Sequence, residues 1–145
     1  MFLKINSETA ESIRAHGAAG YPHEICGALL GRESGEGREV AAIFPLPNQR
    51  EDSPQNRFVI APLDVLRADA AAREQKLDLV GWYHSHPDHP ARPSEFDREH
   101  AWPWYSYIIL SVAECRPREM TSWRLRDDRS GYDEEAIEIV APATI

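Results

Sequence analysis

Apolar and polar positions along the chain sort into alternating strand-like and helix-like stretches. Phe2 to Ile5 predicts a short strand. Ser7 stands where a helix N-cap would, ahead of a run anchored by Ile13, and Gly17 with Gly20-Tyr21-Pro22 is expected to close that helix. Ile25 to Leu30 is an apolar run ended by Gly31, the pattern of a buried strand. After turn-forming residues from Ser34 to Gly37, Val40 to Leu46 predicts its hairpin partner. Pro47 to Arg57 is polar and rich in turn formers, a connection long enough to suggest a functional role, and Phe58 to Ile60 predicts a short extended piece. Pro62 suits the first turn of a helix expected to reach Gln75, with Asp64 in that turn and Leu63, Leu66 and Ala70 on one face. Leu77 to His84 is apolar enough for a central strand. A Pro- and His-rich loop from His86 to Pro93 leads into a short helix over Ser94 to His100. Tyr105 to Val112, Glu119 to Arg126 and Ala136 to Val140 predict three more strands, with a turn at Asp127 to Gly131. Strands alternating with helices, and hairpins at both ends, predict an α/β fold: one domain over residues 1–145, a mixed β-sheet with helices packed on its faces.

Length and composition agree with this. A chain of 145 residues suits one domain, and 42 % apolar residues exclude disorder on compositional grounds. With 24 acidic side chains against 16 basic ones the net charge is −8, which excludes generic binding to nucleic acid or to an anionic membrane. No apolar run approaches the ~20 residues of a membrane span. The opening MFLKINSETAE has no basic region ahead of a long apolar core, so a cytoplasmic protein is expected. Cys26 and Cys115 form no CxxC pair and no disulfide framework; both are expected as small buried core residues.

The chemistry concentrates in Gly81-Trp82-Tyr83-His84-Ser85-His86-Pro87 and, after a short loop, Ser94-Glu95-Phe96-Asp97. His84 and His86 are two apart at a strand end, so both imidazoles point to one face and can grip one metal ion. Ser94 and Asp97 have the spacing of a capping box at a helix start. Two histidines and a carboxylate would leave a fourth tetrahedral position open, as a catalytic zinc site requires. Such a site also needs a proton acceptor that is not a ligand, and Glu24, an acid at the head of an apolar strand, is the candidate. Either an HxH pair or an SxxD pair alone is weak; their combination is specific.

The combination resembles the JAMM metalloproteases, the catalytic MPN or Mov34 group. Their signature is an upstream Glu, then His-Ser/Thr-His, seven residues, Ser, two residues and Asp. Here seven residues, Pro87 to Pro93, separate His86 from Ser94, and all five functional positions match. The flanks match too, as Pro22-His23-Glu24-Ile25-Cys26-Gly27 and the Pro93-Ser94 pair, and the likeness spans roughly residues 5 to 126. The resemblance implies a cytidine-deaminase-like MPN fold. It implies one zinc ion held by His84, His86 and Asp97, Glu24 as the base that takes the water's proton, and Ser94 as donor to the oxyanion. Only seven residues separate Asp97 from the next strand at Tyr105, too few for the second inserted loop of the eukaryotic deubiquitinases. The resemblance is therefore to the small prokaryotic members, linked to ubiquitin-like sulfur carriers ending in Gly-Gly. It implies cleavage of a peptide or isopeptide bond after that Gly-Gly, to trim an extension or release an attached residue.

Other positions stay open. His100, three after Asp97, could support the site or be a solvated helix residue; His89 could meet substrate or simply face solvent. The aromatics Trp102 to Tyr107 could line a groove or fill the core, and residues 47–57 could be a movable wall or a plain connection. A flexible Gly-Gly tail could add as a strand at a sheet edge. Competing readings are a small-molecule or peptide amidase on the same scaffold, a non-catalytic MPN scaffold, and a deaminase; the last is disfavoured because position 86 is His and no CxxC exists. Nothing in the pattern fixes an oligomeric state.

Overall fold

The computed structural model describes residues 1–35, 37–47 and 60–141. The elements follow as β1 (Phe2–Asn6), α1 (Ser7–Gly20), β2 (Cys26–Ser34), β3 (Gly37–Leu46), α2 (Pro62–Glu74), β4 (Asp78–Pro87), α3 (Glu95–His100), β5 (Ser106–Ala113), β6 (Arg116–Leu125) and β7 (Tyr132–Val140). The expected elements are present, apart from the stretch before α2, where only Ile60 of the extended piece and Pro47 of the polar connection fall within the described residues.

The sheet is mixed, as expected, but it closes on itself. Its order is β1-β3-β2-β4-β5-β6-β7, and β7 returns to pair in parallel with β1. Pairs β1–β3 and β4–β5 are also parallel, and the remaining neighbours are antiparallel. Pairing around the ring is partial: among the described residues Ala42 to Leu46 of β3 pair only with β2, and Pro117, Met120 and Thr121 of β6 only with β5, so closure leaves unpaired strand sides of the kind an extended tail would use. α1 touches β1, β3, β4, β5, β6 and β7, which is possible because the sheet curls around it; α2 lies against β2, β3 and β4. α1 and α2 each have their own apolar cluster, one built on Ile5, Ile13, Leu29, Val80 and Leu110, the other on Leu30, Ala68, Ala72, Trp82 and Tyr107. None of the described helices is long and apolar enough to cross a membrane.

Local details differ from the sequence pattern for physical reasons. The N-cap of α1 is Asn6, one residue before Ser7: its side chain accepts the Thr9 N–H at 2.8 Å. Gly17 lies inside α1 and does not end it. A Cβ there would stand 2.6 Å from Leu110 Cδ2, so the glycine lets the helix approach β5. α2 buries Asp64, Ala68 and Ala72, whereas Leu63 and Leu66 are 56 % and 67 % exposed and Ala70 is also exposed. The small i, i+4 alanines seat the helix closely on the sheet, and the leucines turn outward. Cys26 is buried as expected, but Cys115 is exposed. It sits with Glu114 in the two-residue β5–β6 turn, both with positive φ (51° and 65°), as a type I′ hairpin requires.

β4 is the central strand for the site. Every residue from Leu79 to Pro87 is buried, and β2 and β5 flank it. It continues past His84 to Pro87, so both histidines lie within paired strand.

Candidate metal centre

The strand period sends His84 and His86 to one face, and β4 opposes Ile109 and Ser111 of β5 at those two positions. Ser85, between them, points the other way. Its Oγ accepts the Ile25 N–H at 2.9 Å, and its own N–H donates to Ile25 O at 3.1 Å. This double link, with the register Cys26 opposite His84, carries Glu24 to the histidines across some sixty residues of chain. Ser85 was not singled out in the sequence; a polar residue alternating with two histidines on a buried strand was the available signal.

Ser94 and Asp97 form the expected capping box. Ser94 N–H donates to Asp97 Oδ2 at 2.8 Å, and Asp97 N–H donates to Ser94 Oγ at 3.0 Å. The same Asp97 Oδ2 lies 3.1 Å from His86 Nε2 and 3.4 Å from His84 Nε2, and the two Nε2 atoms are 3.1 Å apart. Corners about 2.0–2.1 Å from a central ion, as in zinc sites with N and O ligands, stand about 3.3–3.4 Å from each other in a tetrahedron. The three donor atoms make a triangle of that size, so the residues fit a small divalent cation. His86 Nδ1 meets the Pro90 carbonyl at 2.9 Å, and a carbonyl only accepts. Nδ1 therefore carries the proton, and the Nε2 lone pair faces the triangle.

The electrostatics agree. Burial pushes the Asp97 carboxyl up, but the two imidazoles beside it outweigh this and hold it well below the usual carboxylate range. His84 is lowered by burial against the opposing pull of Asp97. His86 is also opposed by burial, but its bond to Asp97 prevails and raises it. Glu24 is 3 % exposed, and one carboxylate oxygen lies within 4.8 Å of ring nitrogens of both His84 and His86. That is looser than the Asp97 contacts, and leaves space between Glu24 and the triangle. Ser94 uses an oxygen lone pair to cap α3, so its hydroxyl proton stays available to another acceptor.

Two clefts open beside the centre. One, of about 130 Å³, is lined by His84, Asp97, Phe96, His100, Trp102, Tyr107 and Tyr132 among others. The other, of about 480 Å³, is lined by Glu24, His86, His89, Arg92, Ser94 and Phe96 among others. His100 stacks on Phe96 with ring centres 4.0 Å apart and points Nδ1 at Phe96 O, so it is a wall of the small cleft. The aromatic cluster divides: Tyr107 is buried and its hydroxyl accepts the Trp102 N–H, while Trp102 and Trp104 are about half exposed. Sequence reasoning also passed over Arg129. From the β6–β7 turn it donates to the carbonyls of Arg98, Glu99 and Ala101, and Arg98 donates back to its carbonyl, so the turn grips the C-terminal end of the short helix that carries Asp97.

A closed mixed sheet thus carries two histidines and a carboxylate at its central strand, with an acid and a hydroxyl alongside, an arrangement able to hold a divalent cation. Comparison with known proteins names the class. The profile for prokaryotic homologs of the JAB domain, Prok-JAB, matches residues 6–126, and the chain belongs to that family. It is similar to the desampylase of Haloferax volcanii, 37 % identical over 114 residues that cover 75 % of this chain and 80 % of that one. It is 29 % identical to the CysO-cysteine peptidase of Mycobacterium tuberculosis over 140 residues, covering 95 % and 91 % of the two chains. The solution structure of a Desulfitobacterium hafniense protein superposes with a TM-score of 0.85 at 33 % identity, over 97 % of this chain and 94 % of that one.

Proposed function

We propose that the chain is a zinc-dependent peptidase that hydrolyses the bond after the C-terminal Gly-Gly of a ubiquitin-like sulfur-carrier protein, acting in the cytoplasm as one JAMM domain. The observation that carries this is the triangle of His84 Nε2, His86 Nε2 and Asp97 Oδ2, with sides of 3.1, 3.1 and 3.4 Å, beside a buried Glu24. In this reading His84, His86 and Asp97 hold the zinc, which when bound supplies Lewis acidity toward the scissile carbonyl and toward water. Glu24 takes one proton from the attacking water as its oxygen bonds to the carbonyl carbon. It returns that proton to the leaving nitrogen as the C–N bond breaks. The Ser94 hydroxyl donates to the oxygen that gains charge. The box bonds to Asp97 and the double link at Ser85 hold these groups in place before substrate arrives.

Substrate class follows from relatives and from shape. The relatives bear the names of a desampylase and of a peptidase acting on CysO-cysteine. The small cleft is narrow and walled by aromatic rings, which suits a glycine better than a residue with a side chain. Intact-mass spectrometry tests the proposal, with the zinc-loaded protein and a sulfur carrier extended by a few residues beyond Gly-Gly. Loss of the extension's mass, blocked by a chelator and restored by zinc, is the expected result. Cleavage of short free peptides at equal rates, with the folded carrier offering no advantage, would replace the carrier reading with a general amidase.

A further inference from the structure

The proposed chemistry does not say what leaves. A deconjugating enzyme releases a lysine side-chain amine of a folded protein; a trimming enzyme releases an amino acid or short peptide through its α-amine. The clefts distinguish the two, and this inference rests on the reading of function above. The residue that protonates the leaving nitrogen has to face the leaving group. Glu24 opens onto the wide cleft and does not line the small one. The wide cleft is therefore the leaving-group side, and Phe96, which lines both, divides it from the glycine side.

The rim of the wide cleft is a fixed structure. Three consecutive carbonyls of the 88–93 loop are held by side chains. His89 O accepts from Ser111 Oγ at 2.6 Å, Pro90 O from His86 Nδ1 at 2.9 Å, and Ala91 O from Thr121 Oγ1 at 2.6 Å. Asp88 N–H adds a bond to Val112 O at 2.7 Å. These partners come from β4, β5 and β6, so the loop is pinned to three strands. It presents Arg92 to the cleft, two residues before Ser94. Arg92 is the one permanently cationic side chain lining this cleft among the described residues. Among those residues it has no carboxylate partner; the neighbouring acid Glu95 is taken by Arg98. In a chain of net charge −8, a cation held on a rigid rim beside the reaction centre marks a place for an anion.

We propose that Arg92 receives the α-carboxylate of the released residue, so that the enzyme favours carriers extended by a single terminal residue over carriers joined to a lysine side chain. In a Gly-Gly-X carrier the α-carboxylate is separated from the leaving nitrogen by one carbon, which places it inside the same cleft as Glu24 and Ser94. In an isopeptide the corresponding lysine carboxyl lies several bonds farther off and is itself part of a peptide bond. Arginine suits the task because its planar fork matches a carboxylate in a bidentate pair.

The test uses two semisynthetic sulfur carriers, one ending Gly-Gly-Ala with a free acid and the other ending in the alanine amide. Wild-type protein is expected to cleave the acid with roughly tenfold higher kcat/KM, the size of one charge-assisted contact. Arg92→Gln is expected to bring the acid-to-amide ratio close to one, and Arg92→Lys to keep part of it. Calorimetry with the same two carriers and Glu24→Gln protein should show a similar gap in binding, free of turnover. Equal wild-type rates on acid and amide, or an Arg92→Gln variant that slows both while keeping the ratio, would overturn the assignment while leaving the peptidase reading intact. Absence of cleavage of either carrier by zinc-loaded protein would defeat the peptidase reading, and Arg92's role with it.

Discussion

Ser94 takes part in two events that the structure separates by atom. Its oxygen accepts the Asp97 N–H at 3.0 Å and its backbone N–H donates to Asp97 Oδ2 at 2.8 Å. Replacing Ser94 with alanine deletes the first bond and the hydroxyl proton but keeps the second, because alanine retains the backbone N–H. The carboxylate that faces both histidines thus keeps one of its anchors. Loss of an N-cap side chain costs about 1 kcal/mol. In a domain of this length that lowers Tm by roughly 2–4 °C. If the hydroxyl also stabilises the oxyanion, turnover falls about 10²- to 10³-fold. The two losses therefore differ in size and in readout. The assay combines thermal denaturation, zinc content by mass spectrometry of metals, and single-turnover cleavage of an extended carrier. Expected for Ser94→Ala are a small Tm loss, zinc retained at one equivalent, and a rate down by at least two decades. A rate within fivefold of wild type at full zinc content would show that Ser94 is only a helix cap. Loss of zinc along with rate would show that the hydroxyl, and not the backbone bond, fixes Asp97.

Other consequences can be checked separately. Glu24→Gln should retain zinc and lose roughly 10²- to 10⁴-fold in turnover, whereas Asp97→Ala should lose zinc as well; metal analysis beside rates distinguishes them. In folded protein at pH 8 a thiol reagent should label Cys115 and spare Cys26, since burial pushes the Cys26 thiol up to about 12 and leaves no thiolate to react; both should label after denaturation, as peptide mapping would show. Gly27→Ala should destabilise the fold by about 1–3 kcal/mol in urea titration, because a Cβ there would lie 2.3–2.4 Å from the buried Tyr83 ring.

The site was more legible than the packing around it. His84-x-His86 and Ser94-x-x-Asp97 are relations of two and three residues, set by strand pleat and helix turn, and both hold as geometry. The buried face of α2 is set by its alanines and not by Leu63 and Leu66, although the leucines are the more hydrophobic. Which side of a helix is buried depends on how closely the sheet beneath allows it to approach, and Ala68 and Ala72 permit the closer contact. Cys115 was misread because its burial was inferred from residue type, while the tight turn between β5 and β6 puts it outside. Arg129 carried no signal beyond a turn, because its partners are carbonyls some thirty positions earlier.

By itself the sequence determined that His84 and His86 share a strand face and that Ser94 and Asp97 share a helix start, since residue identity and short-range backbone geometry suffice for that. Tertiary structure alone decided that the sheet closes, that Ser85 brings Glu24 to β4, that the pinned 88–93 loop folds α3 back until one Asp97 oxygen meets both imidazoles, and that Arg92 faces the cleft of Glu24 while His100 lines the other. Those relations join residues far apart in the chain. They are fixed by which buried surfaces and hydrogen-bonding groups find partners when the whole chain packs, and no local pattern encodes that.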